Sequence, residues 1–124
     1  MSNYVLIAIG GAAGALARYG VAAFIQSRFP SSFPWGTFVV NVSGCFAMGL
    51  VVSLVLDRIG SSVGLRVLLA VGFIGAYTTF STYAVESITL FRSGDWLGAA
   101  ANIIGTNLIC LLGAVVGLLV GAHL

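Results

Sequence analysis

The chain has 124 residues, of which 60% are hydrophobic and 6% are charged. A soluble globular domain carries about 25% charged residues, so this composition excludes one. The length is that of a single domain, residues 1–124, and leaves no room for a separate catalytic or nucleotide-binding domain. The net charge of +2 comes from scattered arginines, which do not form the basic patch of a nucleic-acid-binding protein.

Four apolar runs have the length of membrane spans. About 20 apolar residues cross roughly 30 Å of hydrocarbon, and the runs cover approximately residues 4–26, 35–56, 67–91 and 96–122. The sequence therefore predicts an all-α membrane protein with four transmembrane helices per subunit. An enzyme is not expected, because His123 stands alone near the end and no nucleophile has a base at suitable spacing.

The first run contains one cation, Arg18. It can snorkel and anchor the helix at the interface, or it can lie in an aqueous vestibule that draws in anions. The stretch Ala15-Leu16-Ala17 is similar to a signal cleavage site, but Met1-Ser2-Asn3 lacks a basic region, so the run is interpreted as a span. Gly10 and Gly14 lie four residues apart and favour close helix contact.

The second run carries Asn41, an intramembrane amide that is costly unless it has a partner. Asp57-Arg58-Ile59-Gly60 gives this run an end signal of charge and glycine. Cys45 and, in the fourth run, Cys110 lack CxxC spacing and neighbouring histidines. We therefore interpret both cysteines as small packing residues and not as a metal or redox site.

Glycines and hydroxyl side chains cluster near the middle of the third run, over residues 72–83. Thr78 lies eleven residues after Val67, about 16 Å along a helix and close to the bilayer midplane. The pattern predicts a helix break there, which must face protein or water because lipid cannot satisfy the released backbone groups. The alternative is that the hydroxyl groups bond back to their own helix.

An aromatic pair and an acid follow the predicted break. Phe80 and Tyr83 are three residues apart on one helical face, so their ring edges can hold a small anion, although such pairs often only pack in a core. Glu86 can orient other groups, carry a proton, or pair with an arginine.

The fourth run places Asn102, Thr106 and Cys110 on one helical face, with Asn107 beside them. These polar groups can line a narrow ion track, or they can form hydrogen bonds between helices. On the same run, Gly113, Gly117 and Gly121 provide a flat face for close packing.

The charges that set orientation are balanced. With four spans, Arg58 and Arg66 lie on the side of the termini and Arg28 and Arg92 on the other, a bias too small for the positive-inside rule even when Arg18 is counted. We expect the chain to insert in both orientations and to pair as an antiparallel, dual-topology homodimer. A two-fold axis in the membrane plane, which many transporters obtain from inverted repeats, would then come from a second copy.

These residues resemble the Fluc (CrcB) family of small fluoride channels over nearly the whole chain. The matching positions are Gly10-Gly11, Gly14-Ala15, Arg18-Tyr19, Gly36-Thr37, Val40-Asn41, Gly44, Gly75 and Thr78-Thr79-Phe80-Ser81-Thr82. The last run is the most specific of these motifs. The resemblance implies a four-helix subunit in a dual-topology dimer in the plasma membrane, passive fluoride export through two antiparallel pores, and a structural sodium at the dimer centre.

The resemblance also implies roles for single residues. The backbone carbonyls of Gly75 and Thr78 would hold the sodium, and Phe80 would present its ring edge to fluoride. Asn41 would line the pore and Arg18 would face the vestibule. The other residues implied in the fluoride pathway are Tyr83, Thr79, Ser81, Thr82, Asn102 and Thr106. The chain departs from the family at Tyr83, Asn102 and Cys110, where many members have Phe, Tyr and Ser.

Two other functions compete with a channel. A four-helix, dual-topology, proton-coupled exporter of cationic compounds needs a carboxylate in an early span, and the first run has none. A noncatalytic assembly subunit would use the polar residues as partner contacts.

Overall fold

The computed structural model describes residues 1–58 and 63–124, and this part of the chain contains four helices long and apolar enough to cross a membrane. They cover Asn3–Arg28, Trp35–Val55, Val63–Arg92 and Trp96–His123. The prediction of an all-α membrane protein with four spans is confirmed. Ile59 and Gly60, which belong to the predicted end signal of the second run, lie outside the described residues.

The third span is divided into two helices, as the glycine and hydroxyl pattern predicts. Thr78 (φ −83°, ψ 156°) and Thr79 (φ −145°, ψ 117°) both have extended backbones. We therefore label the helices α1 (Asn3–Arg28), α2 (Trp35–Val51, continuing as a π-helix over Val52–Arg58), α3 (63–77), α4 (Phe80–Arg92) and α5 (Trp96–His123). The break lies at the centre of the span, between the C-terminal end of α3 and the N-terminal end of α4.

Local interactions and backbone conformation shape two of the turns between the spans. The Gln26 amide donates to the carbonyls of Ser31 and Phe33 at 3.2 and 3.3 Å and accepts from the Gly36 N–H at 3.0 Å, which ties the end of α1 to the start of α2. Gly94 has a φ of 89°, a conformation that favours glycine, and turns the chain from α4 toward α5.

Glycine faces bring the helices into backbone contact in two pairs. Gly10 and Gly14 of α1 lie so close to α3 that a Cβ atom at either position would collide with the backbone of Leu68 or Phe73. Gly117 of α5 lies in the same way against Phe46 of α2, and a Cβ atom at Gly113 would be 3.3 Å from the Val42 carbonyl oxygen. Because both residue numbers rise together in this second contact, α2 and α5 run parallel.

Polarity is distributed as the membrane requires. Leu111, Leu112 and Leu119 on α5 are exposed on the surface of the single chain, whereas Asn41, Ser87 and Asn102 are buried. Lipid cannot satisfy the polar groups, so they face other helices, and this arrangement positions the candidate site.

Candidate functional site

A wide cleft opens between α1, α2 and α4. Its volume is about 760 Å³, and its wall contains Arg18 together with Glu86. Uncharged polar side chains supply much of the remaining wall, namely Gln26, Ser32, Thr37, Thr79, Thr82 and Thr89. Because Gln26 lies in the last turn of α1, Ser32 in the α1–α2 turn and Thr79 at the break, the cleft extends from the membrane surface toward the midplane.

A narrow cavity lies on the other side of the break, between α2, α4 and α5. Its volume is about 220 Å³, and its wall consists of Asn41, Cys45, Thr78, Thr79, Phe80, Tyr83, Thr106, Asn107 and Cys110. This wall contains no Asp, Glu, His, Lys or Arg side chain. The wide cleft therefore carries charged groups, whereas the narrow cavity presents uncharged donors and aromatic rings.

Thr79 lines both spaces and is held in place by Asn41. The Asn41 Nδ2 donates to the Thr79 carbonyl at 2.9 Å, and its Oδ1 accepts from the Thr79 N–H at 2.8 Å. One buried amide thus satisfies both backbone groups of the residue at the break. The expectation that Asn41 needs a partner at this depth is confirmed.

The Arg18 side chain closes the end of α3. Its Nε donates to the Ala76 carbonyl at 3.1 Å, and the half-buried side chain also lines the wide cleft. A free helix C-terminus carries partial negative charge, which a guanidinium stabilises. Arg18 is therefore a wall residue of the cleft and also a cap of the broken helix, a contact that sequence reasoning missed because 58 residues separate the two partners.

Glu86 lines the same cleft with one carboxylate oxygen unpartnered. Its Oε1 is buried and accepts no hydrogen bond. Of the three roles that the sequence left open for Glu86, the pairing with an arginine has no ion pair to support it among the described residues. Thr37 and Gln26 also line this cleft. Sequence reasoning gave Thr37 no site role of its own and missed Gln26, whose place in the last turn of α1 is typical of an ordinary interfacial residue.

The break leaves two carbonyl oxygens without their helical donors. In an uninterrupted helix, the Thr79 and Thr82 N–H groups would donate to the carbonyls of Gly75 and Thr78. Here the Thr79 N–H donates to Asn41, and the Thr82 N–H donates to the Thr79 hydroxyl at 3.2 Å. Gly75 is also exposed on the single chain. Uncharged oxygens of this kind suit a hard cation, so the residues present are compatible with a sodium ion.

The aromatic pair straddles the surface of the single chain. The rings of Phe80 and Tyr83 are 5.3 Å apart at 57°, and Phe80 is 75% exposed whereas Tyr83 is 8% exposed. The Tyr83 hydroxyl donates to the Ile103 carbonyl at 3.4 Å and accepts from the Asn107 amide at 2.7 Å. This hydroxyl is therefore bound to α5, and both aromatic residues line the narrow cavity.

The polar stripe on α5 divides into two parts. Asn102, 2% exposed, donates to the Ser87 hydroxyl at 2.9 Å and accepts from the Thr106 hydroxyl at 3.0 Å. It is not part of the wall of either cavity, whereas Thr106 and Cys110 line the narrow cavity. Both alternatives from the sequence thus apply, since Asn102 bonds between helices and Thr106 belongs to the wall. Ser81 is exposed and lies outside both cavity walls.

Known proteins are similar in sequence to this chain along most of its length. A family model described as "CrcB-like protein, Camphor Resistance (CrcB)" matches residues 5–118. A protein named "Fluoride-specific ion channel FluC" from Maridesulfovibrio salexigens is 47% identical over 116 residues, which cover 91% of this chain and 92% of that protein. Proteins of the same name are 48% identical over 111 residues in Nitratidesulfovibrio vulgaris (90% of each chain) and 39% identical over 123 residues in Coxiella burnetii (98% of this chain, 99% of the relative). The chain is therefore a multi-pass plasma-membrane protein that belongs to the CrcB family.

Proposed function

We propose that the protein is a fluoride-selective channel that lets fluoride leave the cell passively. The observation that carries the proposal is the position of Thr79, which lines both a cleft with charged side chains and a narrow cavity with uncharged polar groups and aromatic rings. Membership of a family whose relatives are named fluoride-specific channels supports the same function. A channel needs no catalytic group, in agreement with the expectation that the protein is not an enzyme.

The chemistry of the wall suits a small, strongly hydrated anion. Arg18 would raise the local concentration of anions in the wide cleft, since opposite charge attracts them into a confined space. In the narrow cavity, the Asn41 amide, which uses one N–H for the Thr79 carbonyl, would offer its second N–H, and together with the positive edges of Phe80 and Tyr83 it would replace water that fluoride loses. Chloride is larger, so a narrow path rejects it by size as well as by hydration.

The active unit would be an antiparallel homodimer. Phe80 and the Gly75 backbone are exposed on the single chain, although both belong to the functional motif. A second copy related by an axis in the membrane plane would cover them and complete two antiparallel paths. The balanced arginines at or near the ends of the spans favour this assembly, because they leave both orientations open.

A structural sodium would lie on the axis of this dimer. The carbonyls of Gly75 and Thr78 would bind it, two oxygens from each copy, and the ion would compensate the backbone dipoles exposed at the break.

Replacing sodium by N-methylglucamine should shorten the lifetime of the dimer in detergent. Equal lifetimes in both cations would contradict the sodium proposal and leave the fluoride pathway untouched.

Fluoride efflux from liposomes that contain only this protein tests the proposal. We expect fast efflux that needs no pH gradient and exceeds chloride efflux measured under the same conditions. A proton-coupled exporter of cationic compounds would instead require a pH gradient, and an assembly subunit would give no efflux by itself. Empty liposomes provide the background rate.

A further inference from the structure

Two cysteines from different helices meet in the narrow cavity. Cys45 of α2 and Cys110 of α5 are both half-buried, carry free thiols and line the same 220 Å³ space. The chain contains two cysteines in all, and both line this one cavity.

The packing of α2 on α5 explains the pairing. Gly49 of α2 lies so close to Ala114 of α5 that a Cβ atom there would collide with the Ala114 carbonyl. Because the helices run parallel, the residues one turn earlier on each are Cys45 and Cys110, and both line the same cavity. One turn earlier still are Asn41 and Thr106, which line the cavity as well.

Two adjacent thiols have a specific metal chemistry. Thiolates are soft ligands that select soft metal ions over hard ones such as magnesium or calcium. Ions such as Hg(II) and Ag(I) bind stably to two sulfur atoms in a nearly linear arrangement, so a pair suffices without further ligands. No group of three or more His, Cys, Asp or Glu side chains occurs in the described residues, which disfavours a tetrahedral zinc site here.

We propose that Cys45 and Cys110 form a two-thiolate site for a soft metal ion, and that an ion bound there blocks the narrow cavity. With mercuric chloride, both S–H bonds break, two Hg–S bonds form, and two protons and two chloride ions leave to water. Oxidation states do not change, and the product carries no net charge. The bound atom lies in a wall shared with Asn41, Thr106 and the aromatic pair.

Intact-mass spectrometry of the purified full-length chain tests the binding step with mercuric chloride as the probe. We expect one mercury per chain, with both thiols consumed. The bridged ion should survive a competing monothiol at roughly 100-fold higher concentration than in Cys45→Ser or Cys110→Ser, because the second thiol acts at high effective concentration. Two mercury atoms per wild-type chain, or equal resistance in the single variants, would overturn the site.

A matched control keeps two thiols and separates them. Cys110→Ser combined with Leu111→Cys moves one sulfur to an exposed position on the outer surface of α5. This variant should bind mercury at each thiol independently and lose it to the monothiol as easily as the single variants do. Wild-type behaviour in this control would also overturn the pairing.

The blocking step rests on the proposed function and has its own readout. Mercuric chloride should stop fluoride efflux from wild-type liposomes, dithiothreitol should restore it, and the variant lacking both thiols should be insensitive. Bridged mercury with unchanged efflux would overturn the placement of the pair in the ion path. If the wild-type protein conducts no fluoride at all, the proposed function fails, whereas the metal site is still decided by mass spectrometry.

Discussion

Asn41 is the residue on which the geometry of the break depends. Its single amide satisfies the N–H and the carbonyl of Thr79, the residue shared by the cleft and the cavity. No other side chain bonds to these two backbone groups among the described residues. A change at position 41 therefore acts on the backbone of the site as well as on its wall.

We predict that Asn41→Ala lowers both stability and flux. Two part-buried backbone groups lose their partners, and leaving a buried group unsatisfied costs about 1–3 kcal/mol, which is an upper range for these groups. Unfolding in detergent and fluoride efflux from liposomes measure the two effects. Ser43→Ala on the same helix is the control, because Ser43 is exposed and its hydroxyl bonds to Val40 and Tyr77, not to the break. Equal loss in both variants would contradict the role of Asn41.

Phe80 gives the second prediction at this scale. Phe80→Ile removes the ring edge and keeps an apolar side chain, so fluoride efflux should fall roughly tenfold or more, the change that about 1.4 kcal/mol produces, while the dimer still forms. Phe91→Ile is the control, since Phe91 is exposed near the far end of α4 and lines neither cavity. Normal flux in a correctly assembled Phe80→Ile protein would refute the ring-edge role.

Sequence patterns reached some of these residues and not others. Asn41 was predictable because an amide in an apolar run must have a partner, and the break was predictable from its glycines and hydroxyl groups. The bonds from Tyr83 to α5 and from Arg18 to Ala76 were not, because they depend on how separate helices pack. Periodicity identifies the face of a helix, but it does not identify the residue across from that face.

At the scale of the elements, glycine faces determine how closely the helices approach. In α5, Gly117 lies against the Phe46 carbonyl, and a Cβ atom there would be 2.9 Å from the Leu50 nitrogen. The spacing of Gly113, Gly117 and Gly121 predicted a flat packing face, but its partner became known only from the folded chain. The same contact sets the register that brings Cys45 to Cys110.

We predict that Gly117→Ala separates α2 from α5 and destabilises the protein. Forcing an extra methyl group into a well-packed contact costs about 1–3 kcal/mol. Gly20→Ala is the control, because an added Cβ atom at Gly20 has no neighbour within 4 Å and alanine favours a helix. Thermal unfolding in detergent should rank Gly117→Ala below wild type and Gly20→Ala at or above it. The reverse order would contradict backbone contact between α2 and α5.

At the scale of the whole molecule, orientation in the membrane decides whether two copies can pair. The arginines at or near the ends of the spans are balanced between the two faces, so we predict that a protease site placed after Leu124 is accessible from each side in about half of the chains. Protease protection in sealed vesicles measures this fraction. A single orientation in every chain would refute the dual-topology dimer.

Adding arginines to one face of the protein should remove the charge balance between the two faces. Ser31→Arg with Ser93→Arg adds two charges to one face, and His123→Arg with Leu124→Arg adds two to the other, so each variant should insert in one orientation. Each alone should lose fluoride efflux because antiparallel pairs cannot form. Coexpression should restore efflux. Full activity of either variant alone would contradict the need for opposite orientations.

The bond between Arg18 and Ala76 also has a consequence for biosynthesis. The first helix leaves the ribosome before its partner in the third span exists. Until then, its buried cation costs about 2.5–3.5 kcal/mol at the centre of the bilayer and is less costly near either interface. We therefore expect the first span to be only weakly stabilised in the membrane during translation. Insertion of α3 then provides the Ala76 carbonyl that binds Arg18.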